Sequence, residues 1–296
     1  MSVTITREVL NALFTALNTS LNKGLAQRWT GHERWANVIT SNAAAEKYPM
    51  SIVTGGMRKW VGDRVINRLK GESLTVLNDD FERTEGVNLN DVKDDQVGFY
   101  APTFEGMGID SGNLWPRLST EILLAPGKWA DKAAFFSATR KLGKSTYNNV
   151  VNDALSVTSY ETARALMMAY MDYAGQNPLG LVPDLLVVGP TLEKTAKKIL
   201  ATTLVVEDGA AVDNPHKDEC EIQVNPYISG AQWFLMCTKR GIKPIVCQKR
   251  EEGALQRWDT EHDECVKKAN EAHYGLHNRG AAAAVCPLLV IGGNLG

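Results

Sequence analysis

Between residues 51 and 93 the chain spells out a ribbon that cannot stand alone in water. Strand-like pieces at 61–69, 73–77 and 87–89 alternate with turn residues at Gly55-Gly56, Gly71, Asn78-Asp79 and Gly86, which predicts a long hairpin. Its apolar residues are too sparse to cover both faces, and an isolated two-stranded ribbon is marginal at best. It must lie on another surface, and a neighbouring subunit would supply one. Charge is segregated along the same stretch: Arg58, Lys59, Arg64, Arg68 and Lys70 against Asp63, then Glu72, Asp79, Asp80, Glu82, Glu85, Asp91, Asp94 and Asp95 against Arg83 and Lys93. Two arrangements satisfy these charges. They pair across the strands of one hairpin, or a basic edge meets the acidic edge of a second copy, where complementarity sets register more than affinity.

The rest of the chain can bury a large core. With 296 residues, 44% hydrophobic and 22% charged, it has the composition of an ordinary globular protein. A chain of about 300 residues removes roughly three quarters of its surface from water, so neither metal nor disulfide is needed to hold it. Its 32 basic and 34 acidic residues leave a formal charge of -2, without the electrostatic footprint of a dedicated nucleic-acid binder. The apolar runs, 281–285 and 288–291 among them, are far short of the roughly 20 residues that cross a bilayer, and residues 1–10 do not read as a secretory signal. Cys220, Cys237, Cys247, Cys265 and Cys286 are odd in number and form no C-x-x-C pair, which suits a reducing compartment and a role as small core residues.

Val9, Leu13, Leu17 and Leu21 make one stripe of an amphipathic helix over 6–22, with Gly24 as its stop, and residues 29–47 read as an extended arm. After Asp94-Asp95, Val97, Tyr100, Phe104 and Met107 fall at helical spacing, followed by Leu114, Leu118 and Ile122 up to Pro126-Gly127. Pro102, Gly106, Gly108 and Gly112 are expected to kink or interrupt this long helix. Thr158 and Glu161 suggest a capping box before a further helix. Residues 185–188, a helix opened by Pro190, and residues 204–206 read as strand, helix, strand. The runs 231–237 and 242–247 suggest a hairpin on that sheet, and 264–277 and 281–291 read as strands about a turn at Asn278-Arg279-Gly280.

Several motifs invite chemistry. Residues 138–145 loosely match a phosphate loop, with Lys144 and Ser145 as the phosphate and magnesium ligands, but a strand should precede it and a helix follow. A nucleotide-binding phosphotransferase using this match is the alternative function. His262, Cys265, His273 and His277 can be drawn as a zinc set without a standard spacing. Ser20 and Lys23 match a serine-lysine pattern with no partner motif, and Gly106, Gly108 and Ser111 stop short of a dinucleotide fingerprint. Asp79-Asp80 and Asp94-Asp95 suit turns and helix starts. No catalytic, cofactor-binding or metal site is assigned, and the chain does not read as an enzyme.

Four segments carry a resemblance: YPMSIVTGGMRKWVG (48–62), DDQVGFYAPTFEGM (94–107), YNNVVNDAL (147–155) and LVPDLLVVG (181–189), continued through 274–293. In this order they resemble the major head subunit of Mu-like phages, the T protein family. The resemblance implies an α+β Hong Kong 97-type capsid fold: an amino-terminal arm (1–47), an extended loop (48–93), a peripheral domain with a spine helix (94–144), an axial domain (145–250) and returning peripheral strands (251–296). It further implies a major capsid protein of a tailed double-stranded DNA phage or prophage, self-assembling into hexamers and pentamers of an icosahedral head. Scaffold, portal and decoration proteins would be partners, packaged DNA would be touched non-specifically, and the virion would be the destination after assembly in the bacterial host cytoplasm. No membrane and no cofactor are implied. A nonviral encapsulating shell of the same fold is a further possibility.

Overall fold

The structure, a computed structural model, describes residues 4–49, 73–94, 97–207 and 210–295. From the amino end come α1 (Arg7–Leu25), β1 (Ala36–Thr40), β2 (Ala45–Pro49), β3 (Ser73–Leu77), β4 (Asp79–Asn88), α2 (Leu89–Lys93) and the long α3 (Tyr100–Leu124). The middle holds β5 (Arg140–Leu142), β6 (Ser145–Tyr147), β7 (Val150–Val151), α4 (Val157–Met168), β8 (Leu185–Val188), α5 (Glu193–Leu200), β9 (Leu204–Glu207), β10 (Ala210–Asp213), β11 (Glu221–Val224) and β12 (Trp233–Met236). The chain closes with β13 (Ile245–Glu252), β14 (Gln256–Trp258), α6 (Glu264–Ala269), β15 (Glu271–Ala284) and β16 (Val290–Gly293).

Helix α1 begins where the Thr6 side chain accepts a hydrogen bond from the Val9 amide. It buries Leu13, Leu17 and Leu21 of the stripe its spacing predicts, with Leu10 buried in the place expected of Val9 and Val9 half-buried beside it, in a cluster with Val87, Phe104, Met107, Tyr274 and Leu276. Gly24 does not stop it. The helix continues to Leu25, and Gly24 lies against the backbone of α3, where a Cβ would run into the carbonyl oxygen of Glu105. Gly108 answers from the other side: its Cβ would meet the carbonyl oxygen of Leu21, and at Gly112 it would crowd Arg28. These glycines leave α3 unbroken. Pro102 falls in the first turn, where its missing N–H has no partner to lose, and the glycines serve to bring two helix backbones together.

The first sheet runs β1-β13-β15-β14, with β4 also on β15. The expected turn at Asn278-Arg279-Gly280 is instead the middle of the 14-residue β15, which pairs with β13 from 278 to 284 and with β4 from 271 to 280. Gly280 is there because α3 lies across it: a Cβ would strike the Trp115 ring. The start of the expected carboxyl-terminal strand, 264–269, is helical. The supposed arm 29–47 contributes β1, which pairs parallel with β13 from Ala36↔Ile245 to Thr40↔Lys249.

The second sheet runs β11-β8-β12-β16-β7. Strands β8, β12 and β16 are buried at every residue, as continuous apolar runs require when both faces are covered. The strand returning after α5 is β11, parallel to β8, whereas β9 pairs with β10 off the sheet. The expected 231–247 hairpin is split: β12 belongs to the second sheet and β13 to the first. Residues 290–293, read among the returning peripheral strands, likewise pair with β12 and β7 in the second sheet. The capping box of α4 is Ser156 with Ser159, not Thr158 with Glu161.

The α1–α3 contact yields a paired test. Gly108→Ala should lower the thermal unfolding midpoint, at a cost of about 1–3 kcal/mol for forcing two backbones apart. Gly106→Ala, where a Cβ meets nothing within 4 Å, should be neutral or raise stability by up to about 1 kcal/mol through helix propensity. Equal effects of the two would refute the close-approach role.

Candidate assembly interface

Strands β2 and β3 form an antiparallel ladder from Ala45↔Leu77 to Pro49↔Ser73. They are the root of the hairpin expected from the sequence, and its residues 50–72, with the basic group Arg58 to Lys70, lie outside the described residues. The root rests on the face of the first sheet opposite α3. Val76 is buried there against Val246, Ala281, Ala283 and Val285, with Ile39, Tyr48 and Leu74 packed beside it. Alanines in β15 keep that face shallow enough for a second layer of strands.

A polar network pins this root. Gln248 of β13 is fully buried, accepts from the Tyr48 hydroxyl at 2.8 Å, and donates to the carbonyl of Val76 at 3.2 Å and the Asn78 side chain at 2.7 Å. Asn78 in turn donates to the Ser41 hydroxyl at 3.0 Å and the Ala43 carbonyl at 2.9 Å. Burial, with Glu46 nearby, pushes the Tyr48 phenol up to about 12, so it stays a donor. Every member of this chain of bonds has a partner, the condition under which a buried polar network rigidifies instead of weakening.

The acidic strand β4 pairs along its whole length with β15, and among the described residues it does not pair with β2 or β3. Asp80 meets His277 at 2.9 Å and Arg279 at 3.5 Å. Arg83 meets Glu85 at 2.7 Å and also Asp110 of α3. Asp80 is therefore met from β15 and Glu85 by Arg83 of β4 itself, while α3 adds a further acid, Asp110, to Arg83; the pairing with β15 is one that neither arrangement read from the sequence included.

The motifs read for chemistry separate. Residues 140–147 are the β5–β6 hairpin turning at Gly143 (φ +64°), followed directly by β7 and not by a helix. Ser145 is buried and donates to the Asp172 carbonyl at 2.6 Å, so its hydroxyl is engaged where a phosphate loop would present it to magnesium. His262, Cys265 and His273 line one surface depression, but His277 is engaged with Asp80, and among the described residues no three His, Cys, Asp or Glu side chains are placed to hold a metal ion. Lys23 pairs with Glu105 at 3.0 Å, Gly108 is a helix contact, and Ser111 accepts from Asn278 at 2.8 Å. Four of the five cysteines are buried, and burial raises Cys247 to about 11 and Cys286 to about 12, so both remain thiols. Among the described residues no helix is long and apolar enough to cross a membrane. What the sequence did not disclose is the Gln248–Asn78–Tyr48 network, whose members are scattered along the chain with no local pattern.

A sheet carrying a helical layer on one face and a rooted ribbon on the other, beside a second buried sheet, is the architecture of a phage capsid subunit of the Hong Kong 97-type. The procapsid of bacteriophage JBD30 superposes with a TM-score of 0.58 at 22% identity, covering 97% of this chain and 75% of that one. The model of the Mu-like prophage major head subunit gpT matches residues 10–154, 143–228 and 229–290, and the chain belongs to that family. It is 29% identical to the major capsid protein of Escherichia phage Mu over 94% of this chain and 71% of that protein. It is 25% identical to the Mu-like prophage FluMu major head subunit of Haemophilus influenzae over 52% of this chain, spanning about half (53%) of that relative's length. The family is one of structural head subunits, not enzymes, and nothing supports the nucleotide-binding alternative.

The polar root gives a direct test. Gln248→Ala strands the Asn78 amide and the Tyr48 hydroxyl and should lower stability by about 1–3 kcal/mol, read as a drop in the unfolding midpoint. An unchanged midpoint would mean the network does not hold the root.

Proposed function

We propose that this chain closes into hexamers and pentamers of an icosahedral head that encloses double-stranded DNA. The observation that carries this reading is the anchored ladder: Pro49 stands opposite Ser73 at its end, so residues 50–72 are joined to a body that already holds both their flanks. Ring contacts within a capsomer are heterologous, and arms or loops laid across neighbours tie rings together. Each contact can be modest because many act at once.

Within this reading residues 50–72 with their β2–β3 root are the extended loop, α3 is the spine helix, the first sheet with α1 is the peripheral domain, and the second sheet is the core of the axial domain. Scaffold, portal and decoration proteins are its expected partners. Assembly takes place in the bacterial cytoplasm before the subunit becomes part of the virion.

Replacing residues 50–72 by a four-residue glycine-serine turn tests the loop. Because β4 is an integral strand, the cut must end before Ser73. The variant should keep its circular dichroism and unfolding midpoint yet form no shells under negative-stain microscopy. Shells of normal size from the shortened chain would refute the role of the loop.

A further inference from the structure

Residues 126–147 carry four cations that nothing among the described residues neutralises. Lys128, Lys132, Lys141 and Lys144 are all exposed, and among the described residues none of their ammonium groups has an ion-pair or hydrogen-bond partner. The other two charges of the segment cancel each other: Arg140, with a side chain only 1% exposed, pairs with Asp131. The same guanidinium donates to the carbonyls of Ala134 and Phe135 and lies 5.0 Å over the Trp129 ring. It thereby fastens the 127–135 loop to the β5–β6 hairpin, so the four lysines ride on one unit.

The hairpin itself is held at its turn. The Lys144 amide donates to the Tyr173 carbonyl at 3.0 Å, beside the Ser145 bond to Asp172. Alternation puts Arg140, Leu142, Ser145 and Tyr147 inward, while Lys141 and its cross-strand partner Thr146 face solvent. Of the large apolar side chains of the segment, Trp129, Phe135, Leu142 and Tyr147 are buried, and Phe136 is half-buried with its ring against Phe234. What remains exposed around the lysines is Gly127, Ala133, Ala134, Ala138, Thr139, Gly143 and Thr146, with the Tyr173 ring beside the turn.

We propose that this unit is a contact for the sugar-phosphate backbone of double-stranded DNA, made through about four non-specific ion pairs per subunit. A protein partner would need an apolar cluster at the centre of its interface, and beside the Gly143 turn there is a single aromatic ring, Tyr173; a phosphate backbone needs only spaced cations. The proposal rests on the head-subunit reading, which supplies the DNA. It also absorbs the 138–145 motif: the segment meets phosphates with side chains on an exposed hairpin and not with a backbone cradle.

The test uses the full chain and a 20-base-pair duplex, followed by fluorescence anisotropy between 20 and 200 mM salt. Four ion pairs correspond to a log-affinity against log-salt slope of about -3.6, or roughly a hundredfold loss from 50 to 200 mM. The variant K128Q/K132Q/K141Q/K144Q should lose most of that slope and at least tenfold in affinity at 50 mM. The lysine-to-arginine set should retain both, and K194Q/K198Q should change neither. Assembly is scored in parallel by microscopy. A wild-type chain that stays single overturns the head-subunit reading. An assembling wild type whose DNA affinity ignores the four glutamines overturns the patch alone, as does a glutamine variant that binds DNA normally but no longer assembles, which would mark a contact between subunits.

Discussion

The subunit depends on one close approach, the crossing of α1 over α3, in which Gly24 and Gly108 each leave room for the other helix's backbone. Side chains at these two positions would hold the helices apart and open the leucine stripe of α1 to water. Burying a leucine contributes on the order of 2 kcal/mol, so the four leucines of that stripe make the crossing a large share of a stability that is itself only about 5–15 kcal/mol. From it the next layer follows. With α1 on its back, α3 presses Trp115 onto β15, and Gly280 is the strand residue that admits the ring. Trp115 donates to Glu252 at 2.8 Å and lies beneath Lys249, which ties α3 to β13 as well.

On the opposite face the demand is different. The β2–β3 root has only a few apolar residues to bury, so hydrophobic contact alone would let it slide. The Gln248 network fixes its position because its hydrogen bonds are made in one register only. A shell subunit needs both properties, a body that keeps its shape and a projecting segment set at a defined place. Weak contacts summed over many copies can then close a shell with one geometry.

Periodic segments were legible in the sequence. Leu13, Leu17 and Leu21 of α1, the helix over α3, the buried run at β8 and the α5 helix after Pro190 all appear where their spacing puts them, since the signal lies within one element. Glycine was where local reading failed. Gly24, Gly108 and Gly280 look like stops and turns locally, but each is explained by an atom distant in the chain. The split of β12 and β13 was hidden for the same reason: β13 finds β1, a strand from a stretch that reads as an arm. The acidic run was visible, whereas its partners on β15 depend on a pairing no local pattern announces. The family resemblance carried the functional reading that no motif could, because a shell protein holds its function in surfaces and not in a constellation of reactive groups.

The central claim, that this body is built to join its own copies, is tested most directly by sedimentation velocity of the purified full chain over a hundredfold range of concentration. The account predicts species with the mass of capsomers or whole shells, growing steeply with concentration. A single 32.4 kDa component at every concentration would contradict it.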